Sequence, residues 1–286
     1  MDAKIIKPNF YIVGVPKSGT TSLFYYLHTH PEVFVPKIKE PHFFSVPEVR
    51  QTYYNTTIVD NLKDYLKLYK NTKKEIAIGD FSTSYFHNSK SAERIKKFNS
   101  KAKIVILLRD PVDRAISHYL MDKNFGYSKV PLVDILKFKE QYPQQYHEYI
   151  DLGFYSEGIE NYYNSFGQSK VLILLSEELF KDPSKTMVKL LNFIGVNHDF
   201  NINFEEKHNQ NREPIFRFIK KIRQSTMILK CFNMLPLSIK RVLKKFLFKA
   251  PSKNDLQQEK LILKKMYKKD IVKTSQLIGK NLNDWL

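Results

Sequence analysis

Residues 10–27 read Phe10-Tyr-Ile-Val-Gly14-Val-Pro16-Lys17-Ser18-Gly19-Thr20-Thr21-Ser22-Leu23-Phe24-Tyr25-Tyr26-Leu27, and the rest of the chain is best understood from them. The apolar run at the start is rich in β-branched and aromatic residues, which predicts a buried strand. After Gly19, hydroxyl side chains come first and an apolar face follows, which predicts the start of an amphipathic helix. A strand, a glycine loop and a helix start form an anion site, because the first N–H groups of a helix have no partner within it.

The spacing of this loop nearly matches a nucleotide-binding P-loop, in which a glycine and four residues precede Gly-Lys-Ser/Thr. In this chain Thr20 occupies the lysine position and Lys17 lies inside the loop. This displacement argues against a P-loop nucleotide kinase or NTPase, which stays an alternative. A plain glycine turn before a helix is the other alternative.

Composition and length bound the function classes. The chain has 286 residues, and we expect one α/β domain over 1–286. The single cysteine, Cys231, excludes an internal disulfide and favours a reducing compartment. We find neither a signal peptide nor an apolar run long enough for a membrane span, so we expect a cytoplasmic protein. The formal net charge of +18 favours polyanionic partners, among them nucleic acid, anionic lipid, acidic polysaccharide and nucleotides.

Further strands alternate with helices along the chain, which predicts a parallel sheet covered on both faces. The strongest strand is the continuously apolar run Lys103–Leu108. The remaining predicted elements are strands at Glu75–Ser82 and Lys170–Leu175, and helices at 60–70 with Asp60 as cap, at 88–99, from Pro111 onward and at Pro183–Ile194.

A second polar block, Leu108-Arg109-Asp110-Pro111-Val112-Asp113-Arg114-Ala115-Ile116-Ser117, follows the strongest strand. Arg109 leaves the strand at its carboxyl end, where open α/β sheets bind ligands. Ser117 on the next helix can return to the same crevice, and a guanidinium with a hydroxyl suits a phosphate. The alternative is a structural ion pair between Arg109 and Asp110 or Asp113.

Together the two blocks resemble the phosphate-binding motifs of sulfotransferases. The loop is similar to the family's Pro-Lys-Ser/Gly-Gly-Thr-Thr/Ser pattern, and Arg-Asp-Pro-x-x-Arg-x-x-Ser is similar to its 3′-phosphate site. The chain resembles sulfotransferases that use 3′-phosphoadenosine 5′-phosphosulfate (PAPS), most closely the carbohydrate (heparan sulfate-type) branch and its bacterial relatives. The resemblance covers nearly the whole chain, and it implies a P-loop-like three-layer α/β fold with a central parallel sheet flanked by helices.

The resemblance also implies roles for individual residues. Lys17 contacts the 5′-phosphate and the bridging oxygen, where it neutralises charge that develops on the leaving group. Arg109 and Ser117 hold the 3′-phosphate. Tyr155 approaches the adenosine, with a core position as the alternative. The other residues assigned to the donor are Pro16, Ser18, Gly19, Thr20, Thr21 and Ser22 in the loop, and Arg212 or Lys207 in a segment that closes over the 3′-phosphate.

Glu40 is the residue that we expect to act as general base, because sulfuryl transfer to an alcohol removes the acceptor's proton. The run Glu40-Pro41-His42-Phe43-Phe44 resembles the family's Glu-x-His-Phe-Phe segment, whose glutamate is the proposed base. His42 is the rival base, since an unperturbed imidazole titrates near neutral pH. A solvated charge at Glu40 and a structural histidine at His42 are the alternatives.

The resemblance implies a carbohydrate or glycolipid hydroxyl as acceptor. Phe81 stands where heparan sulfate enzymes carry a lysine near the reacting sulfate, which argues against a heparan-type acceptor. Asp80 lies in the same segment, with a structural role as the alternative.

A basic segment over about 214–250, rich in Lys and Arg over 217–249, predicts helices packed on the domain edge. We favour a solvated helix surface, with a platform for an acidic glycan or attachment to anionic lipid as alternatives. We expect no nucleic acid partner, because no helix-turn-helix, zinc or ribonucleoprotein signature occurs. No metal-ligand spacing occurs, so no metal is expected. A non-catalytic polyanion- or membrane-binding module is the remaining functional alternative.

Overall fold

Five parallel strands form the central sheet, in the order β2-β3-β1-β4-β5. This computed structural model describes residues 6–51, 58–200, 202, 204, 213–214, 248–249 and 256–286. The strands are β1 (Phe10–Gly14), β2 (Val33–Phe34), β3 (Ala77–Phe81), β4 (Lys103–Leu108) and β5 (Val171–Leu175). All five residues of β1 are buried, because this strand lies in the middle of the sheet with a neighbour on each side.

Helices cover both faces of the sheet. Along β4, Ile104, Ile106 and Leu108 pack into one hydrophobic cluster, while Val105 and Leu107 pack into another. This alternation places one cluster on each face, as side chains of a strand point to opposite sides. The helices are α1 (Thr20–His28), α2 (Leu62–Lys67), α3 (Ser91–Phe98), α4 (Pro111–Phe125), α5 (Leu132–Lys137), α6 (Pro143–Tyr149), α7 (Ser156–Phe166), α8 (Ser176–Lys181), α9 (Pro183–Ile194) and α10 (Gln257–Ile278).

The two clusters define the layers. Leu23 of α1 and Leu190 of α9 belong to one cluster. Ile95 of α3, Ala115 of α4 and Ile159 of α7 belong to the other. The predicted three-layer fold with a central parallel sheet is therefore confirmed.

The helix predicted over 60–70 is shorter than expected. Helix α2 spans Leu62–Lys67, and its cap is Asn61 rather than Asp60. The Asn61 Oδ1 atom accepts a hydrogen bond from the backbone N–H of Asp64 at 2.9 Å. The prediction of Asp60 was wrong because both residues are good caps and the sequence does not show which one has the extended backbone.

The basic segment lies largely outside the described residues. At its carboxyl end, Phe248–Lys249 pairs as an antiparallel strand with Glu213–Pro214, so helix is wrong for those two positions. Over the described ranges, no helix combines the length and apolar character needed to cross a bilayer.

The last helix, α10, ties the carboxyl end of the chain to the middle of the fold. The Asp270 carboxylate accepts hydrogen bonds from the backbone N–H of Tyr155 at 2.7 Å and of Ser156 at 3.2 Å. It also accepts one from the Ser156 hydroxyl at 2.6 Å. Beyond the helix, the Trp285 ring packs edge-on against Tyr155. These contacts hold the start of α7 against α10.

Candidate functional site

A cleft of about 1110 Å³ opens at the carboxyl edge of the sheet. Four of the segments that line it come directly after strands β1, β3, β4 and β5. Ligands of parallel α/β sheets bind at this edge, because the loops that leave the strands converge there. The cleft is therefore the candidate site.

The glycine loop after β1 forms the floor of the cleft. Gly19 is the N-cap of α1 with φ 101°, a left-handed conformation that favours glycine. It gives α1 no side-chain cap, so the first N–H groups of the helix are left for a ligand. Pro16, Lys17, Gly19, Thr20, Thr21 and Ser22 all line the cleft. Ser18 does not line it, since its side chain is fully buried.

Lys17 lies deep in this loop. Its ammonium Nζ is 3.2 Å from the Sδ atom of Met121, and a thioether is a weak acceptor. Burial and the nearby Arg109 charge lower the pKa of Lys17 to about 8, against the opposing influence of Asp122 and Glu40. An anion bound in the cleft would be a much stronger partner for this ammonium than the thioether.

Arg109 and Ser117 lie in the same cleft as Lys17, as expected from their spacing. The Arg109 Nη1 atom donates a hydrogen bond to the Lys17 carbonyl at 3.0 Å, which joins the two basic residues. Its Nη2 atom is 3.7 Å from the Asp113 carboxylate. Asp113 is 59% exposed, so this ion pair is weak and leaves the guanidinium available to a phosphate.

Tyr155 occupies the core position that was its alternative interpretation. It is 1% exposed, does not line the cleft, and packs against Phe86 and Trp285. An adenine ring therefore has no access to it. Its hydroxyl donates a hydrogen bond to the Arg109 carbonyl at 2.9 Å, so Tyr155 supports the site from behind.

Glu40 also lines the cleft, in a segment that is fixed to the end of β3. Its backbone N–H donates to the Phe81 carbonyl at 2.8 Å, and its Oε2 atom accepts from the Thr83 hydroxyl at 3.0 Å. Its Oε1 atom is paired with the Lys39 ammonium. Burial acts to raise the pKa of Glu40, but Lys39 and the hydrogen bonds hold it below its ordinary value. The carboxylate is therefore ionised at neutral pH and can accept a proton.

His42 is held by its own set of contacts. Its Nε2 atom is 3.8 Å from the Glu40 carboxylate, and its Nδ1 atom shares a hydrogen bond with the Ser84 hydroxyl at 2.7 Å. Burial lowers the pKa of His42, so the ring is neutral at pH 7. The next residue, Phe43, stacks on Tyr65 with ring centroids 4.3 Å apart and anchors the loop. His42 can orient Glu40 or take part in proton transfer.

Backbone strain is concentrated at the residues expected to carry chemistry. Lys17 (φ 70°), Glu40 (φ 63°) and His42 (φ 59°) are the only residues other than glycine with positive φ in the described part of the chain. Such conformations cost about 1–3 kcal/mol each and are kept where the surrounding structure enforces them, most often at active sites.

Asp80 has the structural role that was its alternative. It is fully buried and accepts hydrogen bonds from the hydroxyls of Tyr65 at 2.6 Å, Ser82 at 3.0 Å and Tyr85 at 3.0 Å. Burial raises the pKa of its carboxyl to about 6. Phe81 packs against Phe10 and Phe24 in the core.

A buried polar wall on α4 and α6 was missed by the sequence analysis. Arg114 is fully buried and donates to the backbone carbonyls of Glu148, at 3.1 Å, and of Tyr149. His118 and Glu148 face the cleft, with the His118 Nδ1 atom 2.9 Å from the Glu148 carbonyl. Burial raises the pKa of Glu148 to about 7. No local motif signals this wall, because its α4 side (Arg114 and His118) and its α6 side (Glu148 and Tyr149) are about 30 positions apart in sequence.

Phe180 is an aromatic side chain of the cleft that the sequence analysis also missed. It is 59% exposed and lies beside the glycine loop, so close that a Cβ on Gly19 would be 2.9 Å from its Cζ atom. Ser176 and Glu177 line the same region directly after β5. The available signal was their place at the carboxyl end of a predicted parallel strand.

Two further expectations concern the segment that would close over the donor and the absence of a metal. Arg212 and Lys207 lie outside the described residues. Across the described segments, no three His, Cys, Asp or Glu side chains are grouped so that they could hold a metal ion.

Comparison with known proteins shows one family across the chain. The Sulfotransferase domain family matches residues 7–285. The crystal structure of a sulfotransferase from Alicyclobacillus acidocaldarius superposes with a TM-score of 0.74 and 26% identity, over 98% of this chain and 99% of that one.

Curated relatives match over part of their length. Heparan sulfate glucosamine 3-O-sulfotransferase 3B1 from Mus musculus is 28% identical over 192 residues, which is 66% of this chain and 46% of the relative. Membrane-associated sulfotransferase kil1 from Dictyostelium discoideum is 36% identical over 112 residues, which is 39% of this chain and 22% of the relative. The chain thus spans less than half the length of these two relatives.

Proposed function

The chain belongs to the sulfotransferase domain family, and on this basis we propose that it moves a sulfuryl group from PAPS to a hydroxyl of a carbohydrate or glycolipid. The observation that carries the proposal is that one cleft is lined by the glycine loop with Lys17, by Arg109 and by the ionised carboxylate of Glu40.

The loop side of the cleft suits a doubly phosphorylated nucleotide. The uncapped start of α1 and the Lys17 ammonium offer donors and positive charge to the 5′-phosphosulfate. Arg109 and Ser117 offer a guanidinium and a hydroxyl to the 3′-phosphate. The exposed ring of Phe180 offers a surface to the adenine, a role that Tyr155 does not have in this structure.

The transfer follows from the positions of Glu40 and Lys17. The acceptor oxygen forms a bond to sulfur while the bond between sulfur and the bridging phosphate oxygen breaks. Glu40 takes the proton that leaves the acceptor hydroxyl. Lys17 stabilises the negative charge that develops on the departing oxygen. The products are the sulfated acceptor and adenosine 3′,5′-bisphosphate.

Nucleotide titration tests the donor assignment. We expect adenosine 3′,5′-bisphosphate to raise the melting temperature without magnesium, since a ligand that binds only the native state stabilises it. Adenosine 5′-phosphate should bind at least about ten-fold more weakly, because it lacks the group that Arg109 would bind. A kinase or NTPase would instead be stabilised by ATP with magnesium.

Single substitutions test the roles of Lys17 and Arg109 in nucleotide binding. Lys17→Ala and Arg109→Ala should both weaken binding of the bisphosphate, and Arg109→Ala should abolish the preference for a 3′-phosphate. Lys101→Ala is the matched control, because Lys101 is exposed and does not line the cleft. Equal affinity for the two nucleotides in the unmodified protein would contradict the proposal.

A further inference from the structure

Lys39 is a charged residue of the cleft to which the reaction described above gives no role. It lines the cleft together with Glu40, and its side chain is 20% exposed. Its ammonium is paired with the Oε1 atom of Glu40. Lys39 therefore lies directly beside the group that we propose as the base.

The contacts of the Glu40 carboxylate leave room for an acceptor hydroxyl. Its Oε1 atom pairs with Lys39, and its Oε2 atom accepts from the Thr83 hydroxyl at 3.0 Å. Each oxygen of an ionised carboxylate can accept two hydrogen bonds. An acceptor hydroxyl can therefore bind Glu40 while Lys39 stays in place.

The distances required for the transfer bring the Lys39 ammonium close to the reacting sulfur. A base lies about 2.6–3.2 Å from the oxygen whose proton it takes. That oxygen approaches the reacting atom to about 3–3.5 Å before the bond forms. The ammonium is one hydrogen bond from the same carboxylate and is carried by a flexible four-carbon stem. It can therefore reach the oxygens of the sulfuryl group.

The donor side of the cleft lies within electrostatic reach of this ion pair. The negative charge of Glu40 acts to raise the pKa of Lys17, the residue assigned to the leaving group. The carboxylate is therefore near both ammonium groups, with Lys39 as its direct partner. A sulfuryl group that passes from the Lys17 side to an acceptor on Glu40 comes close to Lys39.

The reaction changes the charge that faces Lys39. The acceptor oxygen forms a bond to sulfur, its proton passes to Glu40, and the electron pair of the breaking bond passes to the bridging phosphate oxygen. Glu40 becomes neutral, whereas the sulfuryl group remains anionic and ends as a sulfate ester. Lys39 thus loses its anionic partner while negative charge on the sulfuryl oxygens lies next to it.

We propose that Lys39 is a further catalytic residue, whose ammonium turns from Glu40 to the oxygens of the sulfuryl group during the transfer. The inference rests on the proposed function and deepens it. Cations aimed at charge in the transition state are among the largest sources of rate enhancement. The competing role for Lys39 is that of a counter-ion, which only keeps Glu40 ionised.

Lys39→Met distinguishes these two roles, because it removes the charge and keeps an unbranched chain. Lys39 holds the pKa of Glu40 down, so its loss raises that pKa and moves the acidic decline of the turnover number to higher pH in both cases. Above that decline, loss of a counter-ion leaves a stronger base, and the plateau would stay level or rise. Loss of a catalytic cation should lower the plateau about 10²-fold.

The acidic decline has to be assigned to Glu40, because other titratable groups are close to it. The His42 Nε2 atom is 3.8 Å from its carboxylate, and its charge also acts on the pKa of Asp80 and of Lys17. The double variant Lys39→Met, Glu40→Gln makes the assignment. We expect the acidic decline to be absent from its profile, since the amide does not titrate.

Two further variants control for charge and position. Lys39→Arg keeps the positive charge and should have a plateau at least about ten-fold above that of Lys39→Met. Lys37→Met removes an exposed lysine two positions earlier, which does not line the cleft, and should match the unmodified protein. Affinity for adenosine 3′,5′-bisphosphate should change by less than about two-fold in all variants, because this nucleotide lacks the sulfuryl group.

Turnover is measured with PAPS that carries a labelled sulfuryl group, as transfer to octyl galactoside and, without it, to water. If the unmodified protein neither binds the bisphosphate nor releases the label, the proposed function fails and the inference fails with it. If it does both but Lys39→Met keeps its plateau, only the inference is overturned. If Lys39→Met does not bind the bisphosphate, Lys39→Gln replaces it with the same expected result. A lowered plateau with retained bisphosphate affinity supports the inference.

Discussion

At the scale of single residues, the central feature is the pairing of Glu40 with three different partners. Lys39 and Thr83 stabilise its ionised form, while His42 lies 3.8 Å away as a neutral ring. A base needs an accessible, ionised oxygen, and the Glu40 side chain is 29% exposed in the cleft. These contacts keep Glu40 ionised, which is why we propose Glu40 rather than His42 as the group that takes the proton.

Glu40→Gln separates the base from the binding machinery. The amide keeps the size of the side chain but cannot take a proton, so we expect the turnover number to fall about 10²–10⁴-fold. Affinity for adenosine 3′,5′-bisphosphate should change by less than about two-fold, as measured by calorimetry. Glu93→Gln removes the same charge at an exposed position and is the control. Near-normal turnover in Glu40→Gln, with loss in His42→Asn, would assign the base to His42.

The pH dependence of donor use should reflect Lys17. Because its pKa is lowered to about 8, raising the pH above that value removes the charge that the phosphates need. The specificity constant for PAPS should therefore be level near neutral pH and fall above about pH 8. The fall in the turnover number should occur at higher pH, because bound phosphates favour the charged ammonium.

A conservative variant checks the source of this decline. Lys17→Arg carries a guanidinium that stays charged in the alkaline range, so its profile should lose the decline even if its overall rate is lower. A profile of the unmodified protein that rises steadily through the alkaline range would show that the Lys17 charge is not required.

The local sequence was sufficient to predict that the residues of the glycine loop, with one exception, and Arg109 and Ser117 lie at the cleft. Their spacing relative to predicted strands placed all but Ser18 on the cleft. Ser18 and Tyr155 are buried and do not line the cleft, because burial of a particular side chain depends on packing against distant elements. For Tyr155 those elements include Phe86 and Trp285, which no pattern around residue 155 reveals.

At the scale of elements, the start of α1 depends on the backbone of Gly19. Gly19→Ala should lower the free energy of unfolding by about 1–2 kcal/mol, because a side chain disfavours the left-handed conformation. Affinity for the bisphosphate should fall as well, since the loop has to distort. Phe180 is exposed and can move, so adding Phe180→Ala should not restore stability.

Gly279→Ala is the control for this prediction. Gly279 also has positive φ, at 62°, but an added Cβ would meet no atom within 4 Å, and the residue does not line the cleft. Denaturant unfolding should show a similar loss for both variants, whereas only Gly19→Ala should lose nucleotide affinity. Unchanged affinity in Gly19→Ala would show that the loop does not hold the nucleotide.

The bounds of some elements were predicted to the residue, whereas others are shorter than expected, among them strand β3, which spans Ala77–Phe81 rather than Glu75–Ser82. The apolar run of β4 coincides with the structure at Lys103–Leu108, and α9 ends at Ile194 before Gly195 as expected. Helix α3 is shorter than the predicted 88–99, at Ser91–Phe98. Helix ends depend on capping contacts, which differ little in sequence between neighbouring polar residues.

At the scale of the whole molecule, helix α10 supports the proposed donor site from a distance. Asp270 holds the backbone at Tyr155 and Ser156, and Tyr155 in turn donates to the Arg109 carbonyl. This chain of hydrogen bonds connects α10 to the residue expected at the 3′-phosphate. Such a connection could not be predicted from sequence, because Asp270 and Tyr155 are 115 positions apart.

Asp270→Ala tests this connection. Loss of the buried hydrogen bonds should lower the free energy of unfolding by about 1–3 kcal/mol. If Asp270 positions Arg109, the variant should also lose affinity for adenosine 3′,5′-bisphosphate more than for adenosine 5′-phosphate. Lys273 lies on the same helix as Asp270 and makes an exposed ion pair with Glu160 of α7, so Lys273→Ala should leave both affinities unchanged. Equal losses for both nucleotides would indicate general destabilisation.

The left-handed backbone at Lys17, Glu40 and His42 implies a trade-off between thermal stability and turnover in this protein. Glycine adopts that conformation without penalty, so a variant library screened only for survival of heating should accumulate glycine at these three positions. The surviving variants would have higher melting temperatures and would have lost sulfotransferase activity. A screen for stable variants must therefore measure sulfated product as well as melting temperature, because activity and thermal stability diverge at these sites.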